Sequence, residues 1–177
     1  EKRTTHTTFL SPTSRIRFGS ARADITLPVG IYHRMWGAAK HDRAEGVHKP
    51  ILGDVIALGS VEVGAPQLLR IYLDLVNLTQ EQHDDLVQAL SEATGVSPAQ
   101  IVISFSHTHA SGWFAPDRLG LPGGEKIPAY LQEMRSKLQQ AGQEAMRRMQ
   151  EVLITYATGR CNMAANRDYW DEERGHF

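Results

Sequence analysis

The chain has one cysteine, Cys161, among its 177 residues. A lone cysteine cannot form an internal disulfide, and it cannot supply the cysteine-rich ligand set of many structural zinc sites. Apart from Arg160, Cys161 has no basic neighbour within a recognisable nucleophile motif, so we expect a structural role for it. Cysteine content does not assign a compartment, and the localisation stays open.

Long apolar runs and an excess of one charge are also missing. No stretch of about 18 apolar residues occurs, so we expect no transmembrane segment. The formal net charge is -1 at pH 7. Proteins that bind DNA, RNA or anionic membranes need clustered Lys and Arg, so we expect no nucleic-acid partner. The apolar share, 41%, is sufficient for a compact domain with a core.

The beginning of the chain differs from the rest in pattern. Residues 1–14 are polar and without periodicity, which indicates a mobile N-terminal arm before a domain spanning 15–177. Residues 15–25 predict a first strand that stops before Pro28 and Gly30.

A strand, a helix and a strand follow one another in the middle of the chain. Apolar runs at 54–60 and 68–76 predict two antiparallel strands joined by a Gly/Pro turn. Residues 79–94 begin near a capping box and end before Gly95, as a helix does. The apolar run at 101–106 then predicts a strand parallel to the one before the helix, through a right-handed crossover.

A second helix is predicted near the C-terminal end. Apolar residues recur with a period of about 3.6 from Ile127 to about Val152, and Pro128 occupies an acceptable first-turn position. The methionines of this segment are expected to pack in the core, and residues 153–158 predict a further strand. The fold class expected is α/β, with a mixed, partly parallel sheet and covering helices.

The motif His107-Thr108-His109 directly follows the predicted strand 101–106. In an extended backbone, residues i and i+2 point to the same face, roughly 6 to 7 Å apart, so both rings could reach one ion or one reacting group. Ligands of open α/β sheets bind at the carboxyl ends of the strands, where this motif lies. The alternative is a pair of strand-end histidines that bond to loop backbone.

Zinc usually takes three or four protein ligands, so the two histidines alone are an incomplete site. The candidates to complete it are His33, His41, His48 and Asp74, and their spacing does not single one out. Asp24 and Asp74 are also candidates for carboxylates that orient a histidine, with turn and capping roles as the alternative.

Arg167 follows Asn166 just beyond the last predicted strand. A fixed guanidinium there could hold a carboxylate or a developing oxyanion, or it could simply pair with Asp168 or Asp171. Trp113 lies in a glycine-rich loop, 111–124, of a kind that can line a pocket.

Five segments in a fixed order resemble the N-terminal catalytic region of the neutral/alkaline non-lysosomal ceramidases. Within residues 17–169 they are Gly-Ser-Ala-Arg-Ala-Asp-Ile-Thr, Glu-Gly-Val-His-Lys-Pro, Tyr-Leu-Asp-Leu-Val, Ser-His-Thr-His and Asn-Arg-Asp-Tyr. The resemblance implies that residues 15–177 are the N-terminal portion of a ceramidase-like metallohydrolase domain.

The same resemblance implies a zinc-dependent hydrolysis of the amide of an N-acylated sphingoid base, a small-molecule or lipid substrate. His107 would be a zinc ligand, His109 would contact the substrate or move protons, and Arg167 would help to bind or polarise the substrate. His48, Asn166 and Trp113 are the substrate-binding candidates, and the alternative for His48 is a turn residue held by the backbone.

Other readings of the chain remain open at this point. A different hydrolase on the same scaffold would cleave a small polar amide or ester, and a non-catalytic domain would use its histidines to hold loops in place. The family's catalytic domain is longer than this chain, so the resemblance implies that further zinc ligands lie beyond the matched stretch. We therefore expect an incomplete part of a larger domain that is inactive alone and prone to self-association.

Overall fold

The structure is a computed structural model, and it describes residues 13–35, 37, 39–62, 67–164 and 170–175. The chain divides into a large compact unit, 15–153, and a small one that groups 1–14 with 154–177. The large unit contains the core and the candidate site. In the small unit the Tyr156 hydroxyl lies 3.4 Å from the Ser14 hydroxyl, within hydrogen-bonding distance.

A five-stranded sheet, in the order β4-β3-β2-β1-β5, is the centre of the fold. The strands are β1 (Thr13–Asp24), β2 (Leu52–Gly59), β3 (Gln67–Leu73), β4 (Ile101–Phe105) and β5 (Gln150–Thr155). β1 pairs with β2 and β2 with β3 in antiparallel fashion, whereas β3 and β4 are parallel. The mixed, partly parallel α/β class predicted from the sequence is confirmed.

The first strand begins earlier than predicted. β1 starts at Thr13 and ends at Asp24, so it includes the last two residues of the expected arm, 1–14. The other twelve residues of that arm, 1–12, lie outside the described part of the chain. The expected mobility of the arm therefore stays a prediction.

Helix α1 (Gln80–Thr94) connects the parallel strands β3 and β4, as predicted. The Thr79 hydroxyl accepts from the Gln82 backbone N–H, and the Gln82 side chain accepts from the Thr79 N–H. This capping box satisfies donors that the first helical turn leaves without partners. The helix ends at Gly95, whose φ of 74° is the left-handed conformation that glycine adopts without strain.

Helix α2 (Ile127–Arg147) is shorter than the sequence predicted. Its expected continuation to Val152 is wrong, because the strand β5 already begins at Gln150. Met149 is buried and Val152 is half-buried, so both positions fit the helical period although they lie beyond the helix. From Glu151 to Thr155 burial alternates with a period of two, which is the signature of a strand.

The core lies between the two helices and one face of the sheet. Gly53 of β2 permits the close approach of α2, because a Cβ there would be 2.7 Å from a Leu138 methyl group. Leu138 is itself fully buried. The strand side chains with no exposed area in this layer are Val55, Ala57, Leu69, Ile71 and Leu73. Their removal from water is the main favourable contribution to the stability of the fold.

The opposite face of the sheet is more exposed. Arg22 and Asp54 are register partners there and form a bidentate pair with distances of 2.6 and 2.9 Å. Tyr72 and Val102 on the same face are 40% and 47% exposed. Within the part of the chain that the structure describes, no helix is long and apolar enough to cross a membrane.

Candidate functional site

The His-Thr-His motif begins two residues after the carboxyl end of β4, beside the carboxyl end of β3. The Ser106 N–H donates to Leu73 O at 2.9 Å, and the His107 N–H donates to Leu75 O at 3.1 Å. These bonds hold the motif against the chain that follows β3. The position at the carboxyl ends of parallel strands is the one expected from the sequence.

His107 has a φ of 58°, in the left-handed region. Among the described residues it is the sole non-glycine with a positive φ. A histidine in this conformation costs free energy that the surrounding bonds must offset, and such residues often cluster at functional sites. The extended geometry assumed from the sequence is therefore wrong at this residue.

The His107 and His109 rings nevertheless lie together. Their centroids are 5.5 Å apart and their planes are inclined by 70°. Two imidazoles that bind one tetrahedral zinc ion through nitrogens at about 2 Å have centroids roughly 5 Å apart. The separation therefore fits joint binding of one ion, and it results from the left-handed turn rather than from the pleat of a strand.

One ring nitrogen of His107 is already engaged. Its Nδ1 lies 3.2 Å from Val76 O. Because a carbonyl oxygen can only accept, Nδ1 carries the proton of a neutral ring and Nε2 keeps its lone pair. Histidines that bind metals usually donate their other ring N–H to a carbonyl or a carboxylate in this way.

The loop after the motif packs against the segment that contains His33. Gly112 has a φ of 85°, and a Cβ at this position would be 2.8 Å from His33 Cα. Phe114 is buried, and its carbonyl accepts from the Gln82 side chain of α1 at 2.7 Å. Trp113 is half-buried and is not among the described residues that line the neighbouring cavity.

A cavity of about 460 Å³ lies beside the motif, with Thr108 and Ala110 in its wall. His48, a substrate-binding candidate from the sequence, also lines it. So does Asp74, whose carboxylate accepts from the Leu52 N–H at 3.3 Å. Its apolar lining comprises Leu27, Ala44, Val47, Pro50 and Ile51. The volume is within the usual range of small-molecule pockets, about 300 to 1,000 Å³.

His33 and His41 form a second imidazole pair in the wall of this cavity, with centroids 5.2 Å apart. A short antiparallel ribbon brings them together: Tyr32 bridges to Arg43, and the His33 N–H donates to Asp42 O at 2.9 Å. From the sequence, both histidines are candidates to complete a zinc site with the His-Thr-His motif. The sequence did not predict that they contact each other. Their separation in sequence gave no signal for this pairing.

The His33 ring is in an unusual environment. Its Nε2 is shielded from solvent and has no hydrogen-bond partner among the described residues. Burial lowers the pKa of His33, and the nearby His41 lowers this pKa further. A hydrogen bond with the Arg43 backbone and the charge of Glu45 oppose these effects. The lowered pKa favours the neutral imidazole near pH 7.

Asp24 and Thr26 form a turn at the end of β1. The Thr26 N–H and hydroxyl both donate to Asp24 Oδ1, at 2.9 and 2.5 Å, and the hydroxyl in turn accepts from the Ile51 N–H. These bonds hold the pKa of Asp24 below its usual range. Of the two roles considered for Asp24, the structure therefore favours the turn.

The residues of the motif fit zinc in part. Neutral imidazole nitrogen is a common zinc ligand, and the pair supplies two of the three or four protein ligands that zinc usually takes. Within the described ranges, no group of three or more His, Cys, Asp or Glu side chains could hold a metal ion. Asn166 and Arg167 lie outside the described residues, and Cys161 is exposed. Zinc binding stays a prediction.

Comparison with solved structures shows which known fold the chain shares. The crystal structure of neutral ceramidase from Pseudomonas aeruginosa matches with a TM-score of 0.62 and 19% identity. A second ceramidase structure, described as complexed with C2, matches with the same TM-score and identity. The chain has a ceramidase-like fold. In both comparisons 79% of this chain matches 22% of the solved chain, so the chain spans about a fifth of that length.

At this identity the ceramidase likeness establishes the fold and not the reaction. No protein-family model matches the sequence, and no curated protein matches it. The arrangement of the side chains must therefore support any functional conclusion.

Proposed function

We propose that this chain is part of a zinc-dependent hydrolase that cleaves an amide bond, with His107 as a zinc ligand. The observation that carries the proposal is the His107 and His109 pair beside the cavity, with ring centroids 5.5 Å apart. The bond from His107 Nδ1 to Val76 O supports the role of His107, because it leaves Nε2 for a metal. The ceramidase-like fold supports the same class of reaction.

When bound, zinc would supply a Lewis acid and a water of lowered pKa. The protein's own groups would position the substrate and move the proton. His109 would contact the substrate and accept or donate the proton, as histidine can near neutral pH. Arg167 would hold the oxygen on which negative charge develops, and His48, Asn166 and Trp113 would contact the rest of the substrate.

The substrate class follows from two different observations. The ceramidase-like fold favours an N-acylsphingosine, cleaved to a sphingoid base and a fatty acid. The cavity volume of about 460 Å³ favours a smaller amide or ester, because it is in the range of pockets for compact ligands. The second candidate is therefore a hydrolase of a small acyl compound on the same scaffold.

The metal is tested first, by equilibrium dialysis against zinc and elemental analysis of the 177-residue chain. We expect His107→Ala to bind zinc at least roughly tenfold more weakly than the wild type. The substitution removes a zinc ligand, and losing even an outer-shell partner of a metal site costs about that much affinity. His83→Ala is the matched control: His83 is a half-exposed histidine of α1 that pairs with Asp84. If the wild type binds zinc and His107→Ala binds the same amount equally tightly, the proposal is contradicted.

The reaction is tested on the natural-length protein, because this chain spans 22% of the ceramidase that it resembles. Release of fatty acid is measured for a long-chain ceramide and for a short-chain N-acyl amide. Turnover of ceramide supports the first candidate, and turnover of the short amide alone supports the second. If His107→Ala leaves every measured turnover unchanged, both candidate functions are contradicted and a non-catalytic role of the histidines is supported.

A further inference from the structure

The His33 and His41 pair resembles the His107 and His109 pair in two ways. The ring centroids are 5.2 Å apart in the first pair and 5.5 Å apart in the second. Both values are close to the roughly 5 Å expected for two imidazoles on one tetrahedral ion. In each pair the backbone also acts on one ring: His107 Nδ1 lies 3.2 Å from Val76 O, and hydrogen bonding by the Arg43 backbone raises the pKa of His33 against the lowering by burial.

The unpartnered nitrogen of His33 distinguishes this pair from an ordinary ring contact. Buried polar atoms in folded proteins nearly always have a partner, so an orphaned Nε2 needs an explanation. In a neutral imidazole that is protonated on Nδ1, Nε2 has a lone pair that can bind a cation.

We propose that His33 and His41 jointly bind a divalent transition-metal ion in the wall of the cavity, as a site separate from His107 and His109. Imidazole suits zinc, copper and nickel, and water would occupy the remaining positions once the exposed His41 ring turns to admit the ion to the shielded His33 Nε2. Glu45 lines the same cavity and adds negative charge close to His33. With two protein ligands, the binding is weak and reversible, as in a site that exchanges its ion or shares it with a substrate.

The backbone fixes the position of His33, whereas the His41 side chain can move. The ribbon bonds at His33 and the contact of Gly112 with its Cα fix the position of His33. His41 is exposed and can rotate toward an ion with little loss of packing. This arrangement is independent of the proposed hydrolysis, in which neither His33 nor His41 has a role.

The test follows the imidazole nitrogens of the ¹⁵N-labelled 177-residue chain by NMR while zinc chloride is added near pH 7. The chain has eight histidines, and single His→Gln variants assign their signals. We expect the His33 Nε2 signal to shift in the wild type and equally in His107→Ala. In His41→Ala the same shift should need at least roughly tenfold more zinc, because losing even an outer-shell partner of a metal site costs about that much affinity. His83 serves as the internal reference.

Three outcomes would overturn the site: no response of His33, the same response in His41→Ala, or a response that disappears in His107→Ala. The backbone amide spectrum reports whether His41→Ala keeps the fold, and His41→Gln replaces it if it does not. The His107 signals are read in the same titration. They separate failure of this site from failure of the zinc ligand proposed for hydrolysis.

Discussion

Asp24 shows how one turn can link stability to pH. The hydrogen bonds from Thr26 lower the pKa of Asp24 in the folded chain. An acid whose pKa is lowered by folding stabilises the protein above its unfolded pKa of about 3.9, and this contribution is lost as the pH falls through the folded value. Asp24 is exposed, so solvent screening keeps the effect small.

We therefore expect Asp24→Asn to lower the free energy of unfolding at pH 7 and to have less effect at pH 3. Urea unfolding at the two pH values measures the difference. In a Thr26→Val background, which lacks the hydroxyl donor, the pH dependence of the Asp24→Asn effect should be smaller. An effect of Asp24→Asn that is the same at both pH values would contradict this account.

Gly112 joins the loop after the His-Thr-His motif to His33. A Cβ there would lie 2.8 Å from His33 Cα, and the φ of 85° disfavours any L side chain. Gly95 is a matched control, because its φ is 74° and a Cβ there would meet nothing within 4 Å. The left-handed backbone, which strains an alanine, is thus common to both positions, whereas the steric overlap occurs at Gly112 alone.

We expect Gly112→Ala to reduce the free energy of unfolding by about 1 to 3 kcal/mol more than Gly95→Ala does, because overpacking adds to the backbone strain. Chemical denaturation of the two variants measures this. The His33 signals should also move in Gly112→Ala and stay in place in Gly95→Ala. Equal losses in the two variants would mean that the loop contact contributes nothing beyond the backbone.

At the scale of elements, the first turn of α1 depends on its capping box. Thr79→Ala removes the hydroxyl that accepts from the Gln82 N–H, and we expect it to cost about 1 kcal/mol of stability. Ser97→Ala is the control, because Ser97 precedes a short 3₁₀ helix without a side-chain cap bond. Thermal unfolding followed by circular dichroism compares them, and equal melting temperatures would refute the role of the cap.

The elements also differ in how well local sequence predicted them. α1 was predicted with nearly correct ends, because the capping box and Gly95 are local signals that its tertiary surroundings do not override. α2 was predicted too long, since Met149 and Val152 satisfy the helical period after the helix has ended. Competition between a helix and a strand for such residues is decided by pairing in the sheet, which local periodicity does not contain.

At the scale of the whole molecule, β4 is at one end of the described sheet. An edge strand presents unpaired backbone groups, and Val102 on this strand adds a 47% exposed side chain. We expect the chain to self-associate at high concentration and Val102→Lys to weaken the association about tenfold, equivalent to about 1.4 kcal/mol.

Analytical ultracentrifugation over a range of concentrations measures this association. Ser136→Lys is the control: it adds the same charge at an exposed position of α2, which packs on β2 rather than on β4. If the two lysine variants behave alike, net charge explains the change. A wild-type chain that stays monomeric throughout would show that the edge is protected.

The sequence by itself determined the class of the fold, the unit made of β3, α1 and β4, and the placement of His107 and His109 at the carboxyl end of a strand. These features depend on local periodicity, caps and chain order. The tertiary structure decided where α2 ends, that His107 adopts a left-handed backbone and that His33 and His41 contact each other. Each of these depends on packing or hydrogen bonds between segments distant in sequence, and such bonds leave no periodic pattern in the chain.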